Sequence, residues 1–198
     1  MAEPVRNRVA PPPKPRELRV EVEQPKVNRI TEALGQHADE HRPWGISDMD
    51  VLAEAIRAEA IDQAKLALPD EERPLRLESL LGRPAFARIL KEQLAQGVAA
   101  TIGASDARVQ AVFGYDLESP LIHLLVLVAR PSAGLEAFID SLDRSLALSM
   151  QDLRLPEFYG RERLLDASLI TPQDVRLGLG VAALLSSVVH TPDRLWQR

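Results

Sequence analysis

Four histidines, no cysteine and a scattered set of carboxylates and hydroxyls bound the chemistry open to this 198-residue chain. Without cysteine, the chain offers no disulfide, thiolate metal site, iron–sulfur ligation or thiol nucleophile. His37-Ala-Asp-Glu40-His41 has the H-x-x-E-H spacing of the inverted zinc proteases, in which two histidines at i and i+4 share a helix face and one metal. The segment is polar throughout, Pro43 follows at once and no third ligand is marked, so a solvated helix end is the competing reading. A second group lies between two apolar runs: Tyr115, Asp116 and Glu118 in a loop, then His123 in the apolar stretch beyond it. Asp116 and Glu118 have the chemistry of an acid–base pair, against the plainer reading of solvated loop carboxylates. His123, alone among aliphatics, reads first as a histidine satisfied within a core. Ser186-Ser187 lacks the strand-to-helix setting of a nucleophile elbow, and Gly178-Leu179-Gly180 reads as helix interior, not as a phosphate-binding turn. The sequence alone therefore assigns no catalytic residue, cofactor-binding residue or metal ligand, and implies no cofactor.

The elements that must position these residues follow from hydrophobic period. Asn28 to His41 predicts a short helix ended by Pro43. Ser47 is a favourable N-cap for an amphipathic helix to about Leu68, with Met49, Leu52, Ile56, Ala60 and Ala64 at helical spacing. LRLESLL predicts one more helical turn before Gly82. Pro84 at a first helical position starts a helix whose Phe86, Ile89, Leu90, Leu94, Val98 and Ile102 form one stripe. After Gly103 the period becomes strand-like: Val109, Ala111 and Phe113 alternate with Arg108, Gln110 and Val112, and Leu121 to Val128 is nearly all apolar, as in a strand covered on both faces. A hairpin is the simplest connection. Ser132 caps a helix that should pack on the sheet through Leu135, Phe138, Ile139, Leu142, Leu146 and Met150. Leu164 to Ile170 reads as strand or short helix, and Thr171-Pro172-Gln173-Asp174 opens a helix over Val175 to Val189 that is apolar almost all round and so expected to be buried.

The fold class these elements imply is α+β: a helix-rich single domain, residues 28–198, with a small sheet built on a central hairpin at about 107–130 and covered by helices. A proline-rich, basic, extended or disordered arm, residues 1–27, precedes it. The helix–strand–loop–strand order around FGYDLESPLIHLLVLV resembles the start of a nucleotidyltransferase fold. Phe113-Gly114 stands at that family's FG pair, while the positions of its metal-holding acids carry Leu121 and His123. The resemblance implies, at most, a degenerate, non-catalytic relative.

Net charge is -5, yet the first thirty residues carry seven Lys/Arg against four Glu, a net of +3 that leaves the body at -8. An acidic body argues against nucleic acid as a general partner, although the basic arm, with Arg6, Arg8, Lys14, Arg16 and Arg19, could touch an anionic one. No apolar run is long enough to span a bilayer or to serve as a signal-peptide core, so the expected compartment is cytoplasmic. The leading expectation is a non-enzymatic structural or interaction subunit of a larger assembly, with a protein partner or further copies of itself. Pro11, Pro12, Pro13, Lys14 and Arg16 in the arm and Trp196 in the tail would make the contacts, together with the apolar C-terminal helix. LRVEV, Leu18 to Val22, alternates as a strand added to another sheet edge would. The alternative expectation is an enzyme or small-ligand binder with its site near the hairpin loop, at Tyr115, Asp116, Glu118 and His123.

Overall fold

The structure, a computed structural model, describes residues 29–40, 44–116, 119–155, 158–187 and 191–198, without the side chains of 38–40. The proline-rich arm, LRVEV, His41 and Glu118 lie outside the described residues. In chain order come helices α1 (Arg29–Glu40), α2 (Ile46–Leu66), α3 (Leu77–Leu81) and α4 (Pro84–Ser105), then strands β1 (Val109–Tyr115) and β2 (Ile122–Val128). Helix α5 (Ala133–Gln151), strand β3 (Leu165–Ile170), the short helix α6 (Pro172–Leu177), a 3-10 segment (Gly180–Ser186) and strand β4 (Asp193–Gln197) complete an α+β fold.

The strands form one sheet in the order β3-β2-β1-β4, with β1 antiparallel to both β2 and β4 and with β2 parallel to β3. The hairpin sits at the centre, as its apolar composition requires. A parallel pair needs a crossover, and α5 supplies it. One face of the sheet, with Val112, Ile122, Leu124, Val126 and Val128, joins the stripes of α2, α4 and α5 in the main core. Each fully buried aliphatic there contributes about 1.5–3 kcal/mol relative to exposure. Ser132 caps α5 as expected, its Oγ accepting from Leu135 N–H. Asp143 of α5 ties that helix to β3: Oδ1 accepts from the N–H groups of Leu164 at 2.7 Å and Leu165 at 2.8 Å, and Oδ2 from Arg163 Nε at 2.8 Å.

Three expectations change and one open reading is settled. Helix α2 begins at Ile46 with Gly45 as its N-cap, because Asp48 accepts the Gly45 N–H at 2.7 Å and Ser47 falls inside the helix. Strict alternation in β1 fails at a bulge between Val109 and Ala111, so Val109 and Val112 share the main core while Phe113 and Tyr115 face the other side of the sheet. Of the two readings open for Leu164 to Ile170, the strand is the one that forms, over Leu165–Ile170 in parallel register with β2. Over its described residues, 175–187, the helix expected over Val175 to Val189 does not form as one element and is mostly not buried. Gly178 closes α6 in the left-handed region at φ 60, Gly180 follows at φ 51, and Leu177, Leu179 and Val181 are exposed. Of that stretch, Ala182 alone is buried among the described residues.

The polar-looking tail is strand β4. A bulge at Leu195 turns two consecutive side chains, Leu195 and Trp196, toward the main core. Arg198 then donates to the carbonyls of Gly103 at 3.0 Å and Val109 at 3.2 Å, placing a cation at the negative end of α4.

Candidate functional site

Partners across a ladder share a face of the sheet, and register therefore decides which polar residues meet. Tyr115 of β1 pairs with His123 of β2, and His123 with Asp166 of β3, so these three form one row across the outer face at the loop end of the hairpin. His123 Nδ1 lies 2.9 Å from Asp166 Oδ2, and His123 Nε2 lies 2.8 Å from Ser119 Oγ in the hairpin loop. A carboxylate only accepts, so the neutral tautomer that satisfies both contacts donates from Nδ1 to Asp166 and accepts the Ser119 hydroxyl at Nε2. This is the arrangement of a serine–histidine–aspartate relay.

Two further groups border the relay. Lys91 of α4, almost wholly buried, donates from Nζ to the Ser119 carbonyl and so fixes the loop from beneath. Burial holds its ammonium below the ordinary lysine range, opposed by the charge of Asp116 and reinforced by Arg161. Tyr115 stands beside His123 with ring centroids 5.1 Å apart. Burial, then the negative charges of Asp166 and Asp116, raise its phenol above its ordinary value, so at neutral pH it remains a hydrogen-bond donor. Asp116 adopts φ 47, a left-handed conformation that turns the chain out of β1, and its carbonyl accepts the Ser119 N–H at 3.0 Å. Perturbed titrating groups converging on a strained loop mark functional sites more often than bare surface.

Of the residues singled out from sequence, the structure brings Tyr115, Asp116 and His123 together, while Glu118 lies outside the described residues. Ser119, Asp166 and Lys91 are additions. Asp166 carried a readable signal, since Asp is depleted in strands and stands in an apolar one, as His123 does in its neighbour. His37 is far from carrying a marked metal site: its ring stacks on Trp44 at 3.5 Å and its Nδ1 is 3.9 Å from Asp48 Oδ2, and among the described residues no group of three or more metal-capable side chains forms. Pro11, Pro12, Pro13, Lys14 and Arg16 lie outside the described residues. Trp196 is folded onto α4 of its own chain and half-buried.

The fold and site define an α+β protein with a hydrogen-bonded Ser119–His123–Asp166 row at the end of a β-hairpin. Comparison with protein-family models, curated proteins and solved structures finds no match to this chain. Among the described residues no helix is long and apolar enough to cross a membrane.

Proposed function

We propose that the chain is an enzyme of acyl transfer or hydrolysis, with Ser119 as nucleophile, His123 as general base and Asp166 as the group that orients and stabilises the imidazole. The observation that carries this reading is His123 bridging Ser119 Oγ at 2.8 Å and Asp166 at 2.9 Å through its two ring nitrogens. Ser119 Oγ attacks the carbonyl carbon of an ester while its proton passes to His123 Nε2. The imidazolium returns that proton to the departing alkoxide, leaving an acyl-serine that water, deprotonated by the same nitrogen, releases as acid. Tyr115 supplies a protonated hydroxyl beside the relay, and Lys91 holds the Ser119 backbone. A fluorophosphonate probe tests the reading: it should label the folded chain at Ser119, and Ser119→Ala and His123→Ala should each abolish labelling with the circular dichroism spectrum unchanged. A folded wild-type chain that stays unlabelled overturns it.

A second reading, an assembly subunit, is favoured by Ile46 and Leu148, which are 83% and 63% exposed. They flank a cavity of about 410 Å³ between α2 and α5, floored by Met49 and Trp44. A partner that covered both would bury apolar surface otherwise held in water. Light scattering on the full chain should then show an oligomer that Ile46→Glu with Leu148→Glu dissociates. A monomer for both chains, with no partner co-purifying, removes this reading.

A further inference from the structure

The outer face of the sheet changes character along the strands. At the loop end it carries the polar row of Tyr115, His123 and Asp166; two residues further along, Phe113 pairs with Leu125; beyond them Leu127 pairs with Ile170 of β3. The cover on this face is thin, being the six-residue α6 and the 3-10 segment, which meet at the two left-handed glycines 178 and 180. The cover closes over Leu125 and Ile170 through Ala182. Away from the relay it leaves a cavity of about 440 Å³, walled by Phe113, Leu127, Pro172, Val175 and Leu185. The cavity is open to solvent, so its apolar wall stays in contact with water until something covers it. Its size lies within the roughly 300–1,000 Å³ of small-ligand sites.

Among the described residues one cation lines this cavity. Arg194 of β4 lies over the Phe113 ring at 5.8 Å from its centroid, and Nη1 donates to the neutral Gln197 Oε1 at 2.6 Å. Among the described residues Arg194 forms no ion pair, as is also true of several exposed arginines such as Arg76, Arg88 and Arg130; what distinguishes it is its place in the wall of this cavity, over Phe113. A guanidinium is a planar fork of donors matched to carboxylate geometry. We propose that this cavity binds a small apolar or aromatic carboxylate, its body packed on Phe113, Leu127 and Leu185 and its carboxylate on Arg194. Leu127 stands four residues from His123, about 13 Å along the strand. The site is thus separate from the relay, and its test does not depend on Ser119 chemistry.

The probes are 4-phenylbutyrate, its uncharged amide 4-phenylbutanamide, and acetate, titrated into the full chain by calorimetry and thermal denaturation. 4-Phenylbutyrate should bind and raise Tm in a concentration-dependent way, as a ligand selective for the folded state does. The amide and acetate should each bind at least tenfold more weakly, because one lacks the charge and the other the body. Arg194→Gln should weaken 4-phenylbutyrate about tenfold and remove the preference for acid over amide. Leu185→Trp, which fills the cavity, should abolish binding of both while fluorophosphonate labelling of Ser119, if present in the wild type, persists. Failure of 4-phenylbutyrate to bind, equal affinity for acid and amide, or unchanged binding in both variants overturns the proposal.

Discussion

The indole of Trp196 lies so close to Gly103 that a Cβ at position 103 would sit 2.2 Å from Trp196 Cδ2. The last strand is docked on α4 by this contact, and Leu195 makes a second at Gly114, where an added Cβ would meet Leu195 Cδ1 at 2.9 Å. Gly103 is helical and not strained; its value is the absence of a side chain. The first methyl group added there must displace a ring held by β4 pairing and by Arg198. Gly103→Ala should therefore destabilise the fold by about 1–3 kcal/mol, the range for overpacking a core. Urea denaturation followed by tryptophan fluorescence measures it; an unchanged midpoint would show that β4 is free to shift.

Asp143 should be among the most sensitive polar positions. It is fully buried and accepts two backbone N–H groups at the entry to β3. Asp143→Ala orphans both donors, at about 1–3 kcal/mol each. Asp143→Asn keeps one acceptor oxygen and should lose less. Equal losses in denaturation would mean that the charge pair with the largely exposed Arg163 matters more than the backbone contacts.

Lys91 gives stability a pH slope of predictable sign. Its folded-state pKa is lowered by burial, so the unfolded chain binds the proton more tightly. Stability should rise with pH from the lowered value toward the ordinary lysine value of about 10.4. Tyr115, raised in the fold, acts in the opposite sense, and only as pH passes about 10. Comparing urea midpoints of the wild type and Lys91→Met from neutral to mildly alkaline pH isolates the effect. The difference between the two curves should change steadily; parallel curves would contradict a desolvated ammonium.

Gly178→Ala should cost about 1–2 kcal/mol, the penalty for placing a side chain in the left-handed region. Its φ of 60 allows the Gly178 N–H to reach the carbonyls of Asp174 and Val175 and close α6. Because α6 and the 3-10 segment cover the cavity beside Arg194, the same variant should also weaken 4-phenylbutyrate binding. A variant that folds with unchanged stability would place the end of α6 elsewhere.

The sheet core was readable because its signal is local: two apolar runs joined by a short polar loop make a hairpin, and Ser132, Pro84 and the Thr171–Asp174 box mark helix starts through bonds to their own neighbours. The misread helix after Asp174 followed composition, which cannot distinguish an apolar helix interior from a thin cover bent by two glycines. The relay was only partly visible. Tyr115 and His123 are eight residues apart and were grouped from sequence, but Asp166 reaches His123 through a parallel pairing across a crossover helix. Register, fixed by which face of β3 can be buried, decides that Asp166 meets His123.

By itself, then, the sequence determined the α+β class, the central hairpin and the amphipathic helices, all of which depend on residue period and local capping. The tertiary structure decided three matters that depend on contacts between distant segments. It closed the sheet with the C-terminal strand, because two bulged side chains pack half-buried on the main core, Trp196 against Gly103 of α4 and Leu195 against Gly114 of β1. Among the described residues, it left Arg194 without an ion pair in the wall of an apolar cavity. And it aligned Ser119, His123 and Asp166, because the parallel register sets Asp166 opposite His123 while the hairpin loop returns Ser119 to the other ring nitrogen.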